Sequence, residues 1–534
     1  MGWLKRLFTS VVFVALLGVP VHGIASAASN AYDTKFITSI TYMNVGADPA
    51  ELSLVFYDAT DGSTDTITMT NVDGSARVIP VYASASLAVS SVSALSNTWT
   101  GGAVVTSSQP LIATIVQVAN DPIIKVRPVS NGFTASDGGS TVIIPTILKT
   151  CFADSLTTRF NIQNVSGSTA NTITLTTYWP NGATSYTNTF SLAPGAVKSF
   201  DMANITPGAK PGAVTLPTGC LFNGSARITS DQNIVATALE TSTTNRYANS
   251  FEGFAAGNGA TKVYMPSALC SVDYGDGAQT TSYAIQNVTA GSVTATIKYY
   301  YKVRAGDGTL GSAQDNTASP LTVTIAGYSK ASVPGCDSNK SDFSNVSGTG
   351  MDSGSVGSAV IESNTANSIV AVAKVVGGGI TAASPGITTG GEVVNTPYVR
   401  YSTVCFVPAP VPAVCRNESR QRTMFAVQNV GSIATTVTMT LYNHLGASVG
   451  SFTSASIPAG QKISMSPKDV AAVKVADSAA SEFGYWVVDG NLVYAGSASF
   501  TANAGSSARI GVVVRVLNMT PLGQAGEDYN GIPE

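Results

Sequence analysis

The sequence predicts an all-β protein, a signal peptide followed by a tandem array of four β-sandwich domains. Three observations carry that prediction. Charged residues make up 11% of the chain, against about 25% in ordinary soluble proteins. Ser, Thr, Asn and Gly take their place, with 51 glycines in 534 residues; such a composition is poor in the residues of solvated helices and rich in strand and turn formers. An alternating strand ending in Asn recurs four times, and turn signals follow each occurrence at similar spacing. At roughly 100 to 200 residues per domain, the length calls for about three to five domains.

The first element is the export signal. Lys5 and Arg6 precede the apolar run from Leu7 to Val19, and Ala25-Ser26-Ala27 supplies a small-residue cleavage site. Cleavage leaves a mature chain starting at Ala28 and moves the formal net charge from −3 to −5 once the two cations are removed. That field is weak and of the wrong sign for nucleic acid. No later stretch reaches the roughly 18 apolar residues of a membrane span, so no span is expected in the mature chain.

The second element is the repeat. The Asn-ending strands are Ile40-Thr41-Tyr42-Met43-Asn44, Phe160-Asn161-Ile162-Gln163-Asn164, Tyr283-Ala284-Ile285-Gln286-Asn287 and Phe425-Ala426-Val427-Gln428-Asn429. Their alternation points one face inward, and the Asn amide is suited to bonding the turning backbone. A second alternating strand follows in each copy and ends near Tyr57, Tyr178, Tyr300 or Tyr442, which lie 13 or 14 residues beyond the Asn. Hairpin turns at Asp61-Gly62, Asn181-Gly182, Asp307-Gly308 and Leu445-Gly446 come next. A second turn is placed at Gly74, Gly195, Gly327 and Gly460. A Gly-x-Ala strand closes the first three copies at Gly102-Ala103, Gly224-Ser225-Ala226 and Gly357-Ser358-Ala359, and Gly484 to Val488 is read as its fourth counterpart.

Seven or so short strands with turns every 8 to 12 residues are the mark of an immunoglobulin-like sandwich. The Gln-Asn-Val-Gly, Tyr, Asn-Gly, Pro-Ala-Gly and Gly-Ser-Ala pattern resembles the Ig-like repeats of bacterial secreted and cell-surface proteins. The resemblance implies four tandem Ig-like domains and no particular activity, and antibody-type Cys, Trp, Cys spacing is absent. The boundaries are a signal peptide at 1–27, sandwiches at 28–139, 140–259, 260–392 and 393–519, and an acidic C-terminal tail at 520–534.

Six Cys in an exported chain indicate disulfides. Position within the repeat pairs Cys151 with Cys220 and Cys270 with Cys336, leaving Cys405 and Cys415 to close a Pro-rich loop. No Cys-x-x-Cys or His cluster suggests a metal.

Catalytic signals are few, and no catalytic residue is assigned. His444 is the one His left after cleavage, and it precedes a literal G-x-S-x-G at Gly446-Ala447-Ser448-Val449-Gly450. The motif aligns with the hairpin turns and is read as one, since a nucleophile elbow needs a following helix. Asp58, Asp61 and Asp65, and Asp273 with Asp276, are weak candidates for calcium, a hard ion taking six to eight oxygens. Trp99 and Trp179 are candidates for stacking on sugars.

These features lead to the expectation of a secreted or cell-surface structural or adhesive protein, non-catalytic and without cofactor. Its expected partners are other surface proteins, glycans or itself. A carbohydrate-binding accessory protein or glycan-active enzyme is the alternative. The extended segment Ala31 to Thr38 is expected to complete its own first sandwich or to add to a neighbour's sheet edge.

Overall fold

The computed structural model describes residues 36–534 apart from 60–62, 69–77, 97–98, 120–126, 135, 153–154, 167–168, 243–246, 275–276, 339–344, 403–419, 471–484, 489–490, 506 and 521–522. The fold is all-β with antiparallel sheets, and the described residues contain no α-helix. The proposed signal peptide, the Asp61-Gly62 turn, Gly74, Asp276, Cys405 and Cys415 lie outside the described residues.

One pattern of strand pairing recurs in four successive segments. The Asn strands, Phe36–Asn44, Thr157–Asn164, Ala278–Asn287 and Arg420–Asn429, each pair with a return strand: Leu111–Ala119, the second half of Phe222–Thr241, Ile369–Gly377 or Ile510–Thr520. The register is the same throughout, with Asn44, Asn164, Asn287 and Asn429 opposite Leu111, Ile234, Ile369 and Ile510. A turn strand (Ser84–Ala88, Val197–Asp201, Lys330–Pro334 or Lys462–Met465) flanks the Asn strand. On the far side of the return strand lies a closing strand: Val129–Asn131, Ala248–Glu252, Ile380–Pro385 or Gly523–Asn530.

The other sheet is built on the Tyr strands, Ala50–Asp58, Asn171–Tyr178, Val293–Arg304 and Val437–Asn443. Each pairs with a Gly strand: Gly101–Ser107, the first half of Phe222–Thr241, Ser355–Ser363 or Asn491–Ala502. An outer strand (Thr64–Thr68, Thr184–Leu192, Leu310–Asp315 or Ser448–Thr453) covers the Tyr strand's other edge. In segments two to four a lead strand (Gly139–Lys149, Lys262–Cys270 or Val393–Ser402) pairs with the Gly strand. Among the described residues, the Gly strand of the first segment pairs with its Tyr strand alone. Every lead strand has a register break at a proline: Pro145, Pro266 and Pro397 stand where a bulge removes the need for a ladder donor.

The two sheets of each segment meet on their apolar faces. Ile40, Tyr42, Leu52, Leu54 and Phe56 build the first core, and Phe160, Ile162, Ile173, Leu175 and Phe222 the second. Tyr283, Ile285, Ile297, Tyr299 and Ile361 fill the third, and Phe425, Val427, Met439, Leu441 and Phe500 the fourth. In the second segment the 20-residue strand Phe222–Thr241 serves both sheets, so they form one continuous ladder. The Asn side chains tie strand to turn. Asn164 Nδ2 donates to the carbonyls of Thr169, Leu192 and Ala193, and its Oδ1 accepts from Ser166 N. Asn44, Asn287 and Asn429 do the same with their own loops.

Three sequence expectations are corrected. The fourth Gly-Ser-Ala is Gly496-Ser497-Ala498, because Ser497 faces Tyr442 as Ser225 faces Tyr178 and Ser358 faces Tyr300. Tyr485–Val488 is instead a hairpin partner at the start of that same strand. The second turn takes its left-handed residue at Tyr82 (φ 59), Gly195 (φ 74), Tyr328 (φ 57) and Gly460 (φ 76). Glycine is a misleading marker in two of the four, since Tyr rarely adopts that conformation. Residues 520–534 are not a free tail: Gly523–Asn530 pairs with the return strand and Ile532–Pro533 with the lead strand, burying Glu527 and Asp528.

Candidate functional site: the joints between segments

The residues that recur at fixed positions come together where one segment meets the next. Each Tyr strand presents its repeated tyrosine to the second turn of the following segment. The Tyr57 ring lies on Gly195, where an added Cβ would fall 2.0 Å from Tyr57 Cε1. The Tyr300 ring lies on Gly460, with the corresponding distance 3.0 Å to Tyr300 Cε2. The other two joints pair rings: Tyr178 meets Tyr328 at 5.8 Å, and Tyr442 stacks on Tyr82 at 4.7 Å and 19°. The last contact joins the fourth segment to the first, so the joints close upon themselves.

Hydrogen bonds reinforce the same sites. Ser225 Oγ donates to Tyr328 O at 3.0 Å, Ser358 Oγ to Gly460 O at 2.9 Å and Ser497 Oγ to Tyr82 O at 2.8 Å. The Gln beside the repeated Asn grips that same carbonyl from within the receiving segment, Gln286 on Tyr328 O and Gln428 on Gly460 O. At the joint of the first and second segments, Gly102 stands at the Ser position. A Cβ there would come within 2.8 Å of Gln163 Nε2, and Gln163 bonds Gly195 O at 3.0 Å. Tyr82 and Tyr328 hold a backbone conformation that costs on the order of 1 kcal/mol or more for a non-glycine residue. Both use it to place a ring against the preceding segment's Tyr.

Buried charge crosses these joints. Lys330 and Lys374 of the third segment both donate to Thr146 Oγ1 of the second at 3.2 Å, and Lys374 pairs with the fully buried Glu240 at 2.5 Å. Desolvation, with the neighbouring Lys374, pulls Lys330 down to about 7. Ser267, one segment on, occupies the place of Thr146 in its lead strand and faces Arg515 at 3.5 Å. Arg515 is held by Asp528 through two bonds of 2.8 and 2.6 Å, and desolvation lowers the nearby Lys462 to about 8.

The four closing strands meet at the centre, each beside its two neighbours in the cycle. Asn131 of the first segment donates its backbone N–H to Glu252 Oε1 of the second and its Nδ2 to Asn530 O of the fourth at 2.9 Å. Asn530 Nδ2 reaches Pro385 O of the third, also at 2.9 Å. One hydrogen-bonded chain therefore touches all four segments. Desolvation raises Glu252 to about 7.

Most of the sequence candidates lie elsewhere. Trp179 is only 2% exposed and packs on Phe222 at 4.7 Å, so it cannot offer its face to a sugar. Trp99 meets Phe56 in a T-shaped pair at 5.5 Å and joins the first core as a partly buried ring. Asp58 and Asp65 lie on adjoining strands of the first segment. Asp273 Oδ1 accepts from Gly277 N, and its carbonyl is bonded by the Arg304 guanidinium. The described residues contain no group of three His, Cys, Asp or Glu able to hold a metal. Cys151 is bonded to Cys220 and Cys270 to Cys336, each joining the end of a lead strand to the loop before the Gly strand. His444 occupies an exposed hairpin, in which Asn443 Oδ1 accepts from Leu445 N and Ala447 N. No helix among the described residues is long and apolar enough to cross a membrane, which says nothing of strands. An open groove of about 510 Å³, lined by Lys262, Tyr264, Asn367 and Arg509 among others, lies between the third and fourth segments.

No protein-family model matches the chain, and no curated protein matches it. Among solved structures, dimeric latent PorU from Porphyromonas gingivalis aligns over 79% of this chain at 10% identity with a TM-score of 0.10. The present chain spans 32% of that protein, about a third of its length.

Proposed function

We propose that the chain is a secreted or cell-surface structural protein of four diverged Ig-like sandwiches, closed into a ring that offers a rigid, non-catalytic surface to other proteins, glycans or further copies of itself. The observation that carries this reading is where the repeated residues are used. Tyr57, Tyr178, Tyr300 and Tyr442, together with Ser225, Ser358 and Ser497, all lie in joints between segments. A position kept in four diverged copies for assembly serves architecture, whereas fold alone carries no activity. Two disulfides support an oxidising compartment.

The carbohydrate-binding alternative now rests on the groove at Tyr264, where an aromatic ring stands beside Lys262 and Arg509. A glycan array and a hydrolase substrate panel separate the readings. The structural role predicts no turnover and no sugar affinity that depends on Tyr264. Turnover by the purified protein overturns it, and specific binding lost in Tyr264→Ala moves the function to the groove.

A further inference from the structure

The four closing strands bring equivalent residues to the centre of the ring. Asn131, Glu252, Pro385 and Asn530 hold one position of the repeat: across the return strand, each lies level with the residue three before its segment's repeated Asn. The hydrogen bonds between them fix which way each amide faces. Asn131 Nδ2 donates to Asn530 O and Asn530 Nδ2 to Pro385 O, both at 2.9 Å, and turning either amide over would set oxygen against oxygen. The two Oδ1 atoms are the ends left over, and neither has a hydrogen-bond partner. Glu252 Oε1 accepts from Asn131 N, while its Oε2 has no partner. Thr114 is fully buried directly opposite Asn131 on the same sheet face, and its Oγ1 is unpaired as well. All four oxygens are closed off from solvent, so their desolvation is uncompensated.

Charge points the same way. The other buried carboxylates at the joints face cations: Lys374 for Glu240, Arg515 for Asp528, and Arg127 for Glu527. Glu252 has no ion-pair partner among the described residues, and the charged group that acts on it is the like-charged carboxylate of Asp137. A carboxylate in that position calls for a cation from outside the chain.

We propose that Glu252 Oε2, Asn131 Oδ1 and Asn530 Oδ1 are ligands of a calcium ion at the centre of the ring, and that the ion locks the first, second and fourth segments together. The inference goes beyond the surface role proposed above and stands without it. The donor set selects the metal, because it is oxygen throughout, one carboxylate and two amide carbonyls, with no nitrogen or sulfur for zinc or copper. Asp137 balances the second charge of the ion, and water completes the six to eight oxygens that calcium takes. Water alone serves the set less well, since the three ligand oxygens only accept and one water donates two protons. Two carboxylates among neutral oxygens do not make an acidic cluster, which agrees with the lack of any group of three His, Cys, Asp or Glu among the described residues.

The test is calorimetric titration of calcium chloride alone into the full chain freed of divalent ions, with thermal melts and hydrogen exchange in parallel. The expected result is saturable binding at about 10⁻⁴ to 10⁻³ M, the range of extracellular calcium modules. Calcium is also expected to raise the melting temperature over that in chelator and to slow amide exchange in Val129–Asn131, Ala248–Glu252 and Gly523–Asn530. Glu252→Gln keeps an acceptor for Asn131 N without the charge, and is expected to melt alike in calcium and in chelator. Should that variant not fold, exchange in the unaltered chain decides: protection by calcium confined to other strands overturns the proposal. Absence of binding well above the expected range overturns it and leaves the oxygens to water. A calcium response that Glu252→Gln retains also overturns it, and moves the ion to another loop such as that of Asp273.

Discussion

Lys330 shows how a single residue at a joint sets a pH response. It is 4% exposed and faces Thr146, Lys374 and Ser332, with Glu240 beyond Lys374, so two cations share one carboxylate in a dry site. Burial lowers it from the usual 10.5 to about 7. Above pH 10.5 the lysine is neutral in both folded and unfolded chains and contributes no pH dependence. Between 10.5 and 7 the unfolded chain takes up a proton that the folded chain does not, so folding weakens as pH falls. Below 7 the penalty is constant and on the order of a few kcal/mol. Lys330→Met is therefore expected to raise the melting temperature at pH 6 and to lose that advantage as pH approaches 10.5. Thermal melts across that range check it; an advantage independent of pH assigns the effect to packing.

At the scale of elements, the turn that receives each tyrosine is the sensitive part. Gly195 has φ of +74 and a Tyr57 ring where its Cβ would go. Gly195→Ala adds left-handed strain of about 1 kcal/mol to the displacement of that ring, and is expected to cost about 2 to 4 kcal/mol. Gly212→Ala, with open space around it and no positive φ, is the neutral comparison by chemical denaturation. Removing Cys270 and Cys336 together opens a loop with a separation of 66 residues and is expected to cost about 2 to 4 kcal/mol, read in the same way. The strands and their Asn anchors are legible in the sequence because alternation and turn chemistry are local. The joints are legible only as spacing. A tyrosine 13 residues beyond an Asn announces a recurring constraint, but the partner that explains it, such as Gly195 for Tyr57, lies more than a hundred residues away. Trp179 misleads for a related reason, since a sequence does not show which side of a turn its ring faces. The fourth Gly-Ser-Ala is hidden because it lies in the middle of the strand Asn491–Ala502 instead of opening it.

For the whole molecule, the junction of the fourth segment with the first, where Tyr442 stacks on Tyr82, closes the cycle of joints. With the Ser497–Tyr82 and Asn131–Asn530 hydrogen bonds it ties the fourth segment to the first; without these ties the four segments would form an open string in which each joint opens independently. With them, opening any one joint requires strain at the other three, because their ends are held at high effective concentration. The central chain Glu252, Asn131, Asn530 and Pro385 closes in the same sense. A compact particle of 534 residues has a radius of gyration of about 24 Å, which an open string of four segments far exceeds. Small-angle scattering extrapolated to low concentration is expected to give the compact value. Tyr442→Ala combined with Ser497→Ala removes both the ring stack and the hydrogen bond at Tyr82, and is expected to broaden the distance distribution while the melting of the individual sandwiches changes little. A string-like profile for the unaltered joint would remove the ring and leave four independent sandwiches, in which case the recurrence of the tyrosines would need another cause.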